Sequence, residues 1–567
     1  MPMDEDVSDL DRALHAAQAK LTGGLSPASL VLAWTDWAIH FLSAPGLQTQ
    51  MARNAVLEGT ALIRQVLGLH YEPAQPGPHD HRFQDDGWRH GAPALLAQAF
   101  LRTERLWDEV TTDVPGITKA DQRIVNFTAR QMLDVIAPPN IPFLNPEVLA
   151  KAQATSGDSL RRGMQNFIED LQAAGSKVQP LPMQPGKDVA VTSGQVVFRN
   201  KLIELIQYSP TTEKVRPEPI LIIPAWIMKY YILDLSPHNS MVKFLVAQGF
   251  TVFCISWCNP DASMRDVSLE DYRILGAMAA MDAVTAITGG RKIHATGYCL
   301  GGTLLAIAAA TMAREHDDRL ASITLLAAQT DFTEAGELQL FITESQLHFL
   351  EDVMWAQGYL DASQMAGAFQ MLRANDLIWS QMVRRYYLGE ENPPTDLMSW
   401  NKDATRMPYR MHSEYLRKLF LNDDLSEGRF EAGGHKISLA DIHTPFFVIG
   451  TETDHIAPWR SVYKIQQLHG EDLVFILTSG GHNAGIVSEP GHPHRHYAKL
   501  ERKRGDLYIA PDEWLSRAVR HEGSWWLEWV AWLNAHSGEP VSPPPMGAPE
   551  AGYPVLGPAP GTYVFQR

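Results

Sequence analysis

The apolar positions of this chain change period along its length. Over residues 1–175 they recur every three or four positions. Leu10, Leu14, Ala17 and Leu21 mark one helical face behind Ser8 as candidate N-cap, and "SPASLVLAWTDWAIHFL" sets Leu30, Trp34, Trp37 and Phe41 on another after a Ser-Pro start. The pattern predicts a helical N-terminal domain whose apolar face packs on a core, a partner or an apolar surface. A Pro/Gly-rich stretch, "GSKVQPLPMQPGKD", then predicts a linker over 176–188.

Beyond it the period becomes strand-like. "VAVTSGQVVF" and "LIELIQY" read as an antiparallel opening. The runs "PILIIP", "FTVFCISW", "KIHATG", "SITLLAA", "PFFVIG" and "LVFIL" follow, separated by helical segments. Short, β-branched or Phe-rich runs alternating with helices predict an α/β domain over 189–540 around a mostly parallel sheet. The alternation fails once, at about 331–440, where Met, Trp, Tyr and Phe are dense and no sheet strand is evident. An insertion there sits over the carboxyl ends of the strands, where open α/β sheets carry their sites, and reads as a cap domain. The Pro/Gly-rich segment 541–567 reads as an extended or disordered tail.

Composition narrows the function classes. The chain has 567 residues, 45% of them hydrophobic, and a formal net charge of −17. That deficit of cations argues against a nucleic-acid partner, which is bound through a surplus of Lys and Arg. Three cysteines are too few for a disulfide scaffold. The acidic start lacks the apolar core of a secretory signal, and no window reaches the length of a membrane span. The expectation is a cytoplasmic protein without a transmembrane segment.

One cysteine stands out. In "RKIHATGYCLGGTLLAIAAATMARE" a strand runs into Gly297-Tyr298-Cys299-Leu300-Gly301 and then into a helix. This is the arrangement of a nucleophile elbow in an α/β-hydrolase fold, and the fold demands an acid and then a histidine after later strands. Asp454 in "PFFVIGTETDHIAPW" and His482 in "LVFILTSGGHNAG" sit at strand ends in that order. In this reading Cys299 attacks as thiolate, His482 is its base and Asp454 orients and charges the imidazole. Backbone N–H groups of Leu300 and, from the loop after "LIIP", Ile227 form the oxyanion hole.

With these residues in hand, the chain resembles the polyhydroxyalkanoate synthases over nearly its whole length. "IIPAWIMKYYILDLSPHNSMVKFLVAQGFTVFCISWCNPDASMRD", "GYCLGGT", "RANDLIW", "WNKDAT", "DHIAPW", "SGGHNAG" and "HEGSWWLEWVAWL" follow in family order, with "HRFQDDGW" and "APPNIPFLNPE" in the helical part. The resemblance implies that Cys299 is acylated and that an (R)-3-hydroxyacyl-CoA is polymerised with release of CoA. CoA is then substrate and product, and no cofactor or metal is needed. The elbow type resembles class I, which implies short-chain monomers such as 3-hydroxybutyryl-CoA. It also implies a homodimer at the surface of a polymer granule, beside granule-associated proteins. Trp226 and Met228 depart from the family pattern, in which a smaller residue and Asn are frequent. Either His482, or Asp454 acting with it, activates the attacking 3-hydroxyl. A thioester suits the task because it keeps the acyl group as activated as the incoming CoA ester. A thioesterase or dienelactone-type hydrolase shares the triad, and an inactive granule-associated protein shares the fold.

Other motifs have two readings. His455 either lines the mouth used by CoA or makes an ordinary hydrogen bond. "GHPHRHY" alternates His492, His494 and His496 but offers no clear fourth metal ligand. Trp525, Trp526, Trp529 and Trp532 recur at helical spacing, either as core or as polymer contacts. "ITGGRK" lacks phosphate-loop spacing and reads as a turn.

Overall fold

A strand covered on both faces must be apolar at every position, and the computed structural model puts the continuous apolar runs at the centre of one sheet. The structure describes residues 5–567 except 23, 78–79, 175–180, 363, 366, 368–373 and 392. The start of the expected linker lies outside the described residues.

The sheet strands are β1 (Gly194–Arg199), β2 (Ile203–Tyr208), β3 (Ile220–Ile223), β4 (Val252–Trp257), β5 (Ile293–Tyr298), β6 (Leu320–Leu326), β7 (Phe446–Thr451), β8 (Leu473–Thr478), β9 (His496–Arg502), β10 (Val519–Glu522) and β11 (Gly557–Pro558). Their spatial order is β10-β9-β8-β7-β6-β5-β3-β4-β2-β1-β11. From β4 to β8 every neighbouring pair is parallel. The strands outside that block are antiparallel. Every residue of β3, β4, β5, β7 and β8 is buried. Strands β9 and β10 escape the hydrophobic pattern because, lying towards one edge, they alternate with charged residues.

Residues 327–445 leave the sheet after β6 and return at β7, which pairs directly with β6 (Phe446 opposite Ile323). Among its described residues the excursion adds no strand to the sheet. Its two small two-stranded ladders, Tyr359–Leu360 with Met407–Pro408 and the hairpin Glu431–Ala432 with His435–Lys436, stand apart from the main sheet.

Seven α-helices occupy the described part of the N-terminal region: α1 (Glu5–Thr22), α2 (Pro27–Leu42), α3 (Pro45–Val66), α4 (Gly91–Thr111), α5 (Lys119–Val135), α6 (Pro146–Ala154) and α7 (Asp158–Ala174). Ser8 is inside α1 rather than its N-cap, because the acidic residues before it already adopt helical geometry. Ser26 does cap α2, accepting the Ser29 N–H at 3.3 Å with Pro27 in the first turn. The α2 face packs Leu30, Trp34 and Trp37 around Ala33, Ile124 and Val125. Arg82 of "HRFQDDGW" pins this layer through Asp134 at 2.7 Å and Glu104 at 3.0 Å.

The C-terminal segment takes the first of its two readings, extended rather than disordered. It is ordered, with β11 paired to β1 through Gln195 and Val196. The buried Glu204 carboxylate accepts the backbone N–H groups of Thr562 (2.8 Å) and Tyr563 (2.9 Å), and Val564 is fully buried. Pro and Gly here serve close packing along a sheet edge rather than disorder.

Candidate active site

Strand β5 ends at Tyr298, and Cys299 turns the chain into the helix Leu300–Arg314 with φ 52° and ψ −124°. A non-glycine residue in that region costs roughly 1–3 kcal/mol and persists only where its surroundings enforce it. The enforcement comes from close approach. A Cβ on Gly297 would overlap Gly302, one on Gly301 would overlap the carbonyl oxygens of Ile223 and Pro224, and one on Gly302 would overlap Ala328. The glycines of the box therefore let the helix start lie directly against β3 and β6.

Asp454 follows β7 and His482 follows β8, and the structure brings both to Cys299. His482 Nδ1 lies 2.7 Å from Asp454 Oδ2. An ionised carboxylate only accepts, so Nδ1 carries the proton and the opposite ring nitrogen is left to act toward Cys299. Burial alone would raise the Asp454 pKa. The charge of His482 and hydrogen bonds from His482 and the Ala457 and Ile456 amides outweigh it and hold the carboxyl below its ordinary value. Burial likewise opposes the charged form of His482, but the charges of Asp454 and Cys299 and hydrogen bonds to both raise it well above 6.5.

Both Asp454 oxygens are fully engaged. Oδ1 accepts the N–H groups of Ile456 (2.9 Å) and Ala457 (2.8 Å), and Oδ2 accepts the Thr451 hydroxyl (3.1 Å) besides His482. The loop bearing His482 is held from behind. Trp525 and Trp526 donate their indole N–H groups to the carbonyls of Gly485 (3.0 Å) and Ile486 (2.9 Å). The tryptophan cluster is thus core that also clamps the His482 loop, a role its helical spacing does not reveal. Tyr298 donates to Asn483 Oδ1 at 2.5 Å, and its ring lies 5.6 Å from that of His482.

Leu300 opens its helix, so its N–H is one of those without an intrahelical acceptor. Ile227 lies in the loop after β3 and lines the same cavity as Cys299 and Leu300. That loop is tied to the 327–445 excursion: Thr405 donates its hydroxyl to the Trp226 carbonyl (2.6 Å) and its N–H to that of Ile227 (3.3 Å). The C-terminal segment holds it from the other side, with Lys229 Nζ donating to the carbonyls of Tyr563 (3.2 Å) and Gln566 (2.8 Å). His455 does not line the cavity wall, and its carbonyl accepts the Glu337 N–H at 3.4 Å.

The cavity over Cys299 measures about 120 Å³. The excursion roofs it with Leu338, Leu350, His412, Leu416 and Phe420, and Gly24 and Leu25 from the α1–α2 turn complete the wall. Cys299 itself is only 8% exposed.

Sequence comparison agrees with this geometry. Residues 79–245 match the family model "Poly-beta-hydroxybutyrate polymerase (PhaC) N-terminus", residues 5–46 match "Poly-beta-hydroxybutyrate polymerase N terminal", and residues 218–489 match the alpha/beta hydrolase fold. The chain is 41% identical to a poly(3-hydroxyalkanoate) polymerase of Methylorubrum extorquens over 92% of its length and 86% of the relative's. It is 37% identical to the corresponding PhaC subunit of Cupriavidus necator, over 86% of this chain and 83% of that one. The chain belongs to the poly(3-hydroxyalkanoate) polymerase family. Its central sheet is that of an α/β-hydrolase fold.

The histidines of "GHPHRHY" form no cluster in this polymerase fold. His496 pairs with Glu452 at 3.0 Å and His492 Nδ1 meets the Pro493 carbonyl at 2.9 Å. Among the described residues no group of three or more His, Cys, Asp or Glu side chains is placed to hold a metal ion. No described helix is long and apolar enough to cross a membrane.

Proposed function

We propose that this enzyme is an acyltransferase that polymerises short-chain (R)-3-hydroxyacyl-CoA, foremost 3-hydroxybutyryl-CoA, through a Cys299 thioester. The observation that carries the reading is the strained elbow cysteine with a hydrogen-bonded His482–Asp454 pair acting on it beneath an apolar roof. The Cys299 sulfur attacks the CoA thioester carbonyl. Oxyanion charge falls on the N–H groups of Leu300 and Ile227, the bond from carbon to the CoA sulfur breaks, and CoA leaves with the proton held on His482.

The 3-hydroxyl of a second unit then gives its proton to His482, and its oxygen displaces Cys299 as an ester forms. Full occupation of both Asp454 oxygens by Thr451, Ile456, Ala457 and His482 favours His482 over Asp454 as the base meeting that hydroxyl. The apolar lining of the cavity supports transfer over hydrolysis because it disfavours water beside the thioester. Its small volume suits a short acyl chain. No cofactor enters this scheme.

The reading extends to a cytoplasmic homodimer at the surface of its own polymer. The exposed apolar side chains Leu14, Val31, Leu32, Ile39, Leu42 and Leu57 on the N-terminal helices support such a setting. The decisive experiment supplies 3-hydroxybutyryl-CoA to the purified chain: CoA release with insoluble polyester is expected, and stoichiometric free hydroxyacid without polymer would refute the polymerase in favour of a hydrolase. Cys299→Ala is expected to abolish CoA release with the fold retained.

A further inference from the structure

The polar side chains around the cavity are, with few exceptions, already committed to the protein. Thr303 donates its hydroxyl to the Gln329 carbonyl at 2.7 Å, and Gln329 Nε2 donates to Ser461 at 3.0 Å. Gln346 is used at both ends, accepting the Ser26 N–H and donating to the Gly24 carbonyl, each at 2.8 Å. Gln364 Oε1 accepts the Asp361 N–H at 3.0 Å. Tyr415 packs its ring on Trp226 and Phe420. His412 is different: it lines the cavity, is 2% exposed, and its Nδ1 has no hydrogen-bond partner.

A buried ring nitrogen without a partner is costly, and His412, unlike the likewise unpartnered His469, bears that cost in the wall of the cavity over Cys299. Its place in an apolar roof over the nucleophile points to a ligand. Nδ1 is sealed and meets no acceptor, so a proton there would be an unsatisfied donor; the proton belongs on Nε2, the nitrogen on the ring edge left to reach the cavity. A polyester offers acceptors all along its backbone, one carbonyl per unit, and a donor only at its hydroxyl end.

Building on the polymerase reading above, we propose that His412 is a substrate-binding residue that donates an N–H to an ester carbonyl of the growing chain beside Cys299. The contact steadies the chain during ester transfer and is not needed to load the first acyl group. Burial holds the ring neutral, with its pKa down at about 4, so the donor persists across the working pH range.

The test uses full-length wild type, His412→Phe and His412→Gln with 3-hydroxybutyryl-CoA, following by rapid quench the stoichiometric CoA burst of Cys299 acylation and the slower release during elongation. His412→Phe is expected to keep the burst within about twofold and to slow elongation roughly five- to tenfold, the scale of one neutral hydrogen bond. His412→Gln, which restores an N–H, is expected to recover at least about a third of the lost rate. Elongation by His412→Phe at the wild-type rate overturns the proposal, as does equal loss of burst and elongation in both variants at unchanged melting temperature. Should Phe prevent folding, His412→Leu takes the same test. Wild type that releases no CoA overturns the polymerase reading instead, so the two failures are distinct.

Discussion

The carboxyl end of the sheet and the layer of N-terminal helices are held together in opposite ways. Around Cys299 the backbone itself is wedged: Gly301 sits on the carbonyls of Ile223 and Pro224, and five strands are buried at every position. The helical layer instead leaves Leu10 and Leu14 of α1 and Val31 and Leu32 of α2 more than half exposed. It meets the excursion through polar anchors, His15 on Asp352 (2.6 Å), Ser29 on Thr343 (3.1 Å) and the Gln346 bridge to Gly24 and Ser26. Small apolar clusters join the two as well, Ala19 with Phe349 and Val353, and Val148 with Val383 and Leu388. A wedged backbone has one arrangement, whereas a layer joined by a few anchors and small apolar clusters can separate without unfolding what lies beneath.

The strongest way to break that contrast is Gly301→Ala. Its Cβ collides with backbone rather than with a flexible side chain, so β3 or the elbow must move. The expected loss is about 3 kcal/mol of stability together with CoA release, read by urea unfolding and by thiol assay. Full activity in this variant would show that the elbow is not wedged.

Asp454→Asn spares the backbone and tests the electrostatics alone. A fall in kcat/KM of roughly 10³- to 10⁴-fold is expected, the scale on which an orienting carboxylate acts in a triad. Asp454 is held below its ordinary pKa and His482 above its own. The stabilisation from Asp454 is therefore present above the unfolded carboxyl pKa and lost as pH falls through the lowered value. That from His482 is complete below the unfolded imidazole pKa and lost as pH rises through the raised value. Removing the carboxylate should lower the His482 pKa and narrow the pH range over which iodoacetamide reacts quickly with Cys299. An unchanged alkylation profile would mean that Asp454 does not set the charge of His482.

What the sequence revealed follows the same division. Parallel strands buried on both faces cannot hide their hydrophobicity, and the elbow glycines sit against backbone, so the strand-end places of Cys299, Asp454 and His482 were readable from the pattern. Strands β9 and β10 were not, because Lys499, Glu501, Arg502 and Glu522 break the apolar pattern near a sheet edge. Nor was the order of the C-terminal segment, since the buried Glu204 that pins it lies 358 positions from Thr562. His412 and the α1–α2 turn reach Cys299 only through tertiary packing, and nothing in their local sequence marks a cavity.

At the roof, Gln346→Ala removes two hydrogen bonds to the α1–α2 turn and nothing from the sheet. Amide exchange over α1 and α2 should rise by the equivalent of about 1–2 kcal/mol while β3 to β8 keep their protection. Equal deprotection of both regions would show that the helical layer and the sheet unfold as one unit.

The smallest effect belongs to a polar residue that the wedged region tolerates. His469 is 3% exposed, neither ring nitrogen has a partner, and its ring lies 4.3 Å from Phe446. Burial, with the charges of Arg502 and His443, pushes its pKa down to about 3. In the unfolded chain the same group binds a proton near pH 6.5, so native stability falls as pH drops below 6.5 and goes on falling until about 3. His469→Phe removes the titration and keeps the ring contact. It should leave stability within about 1 kcal/mol at pH 7 and gain about 2 kcal/mol over wild type at pH 5, read from melting temperatures. The same difference at both pH values would mean that His469 finds a proton partner in the folded chain, and that the sheet region is less tightly determined than its burial implies.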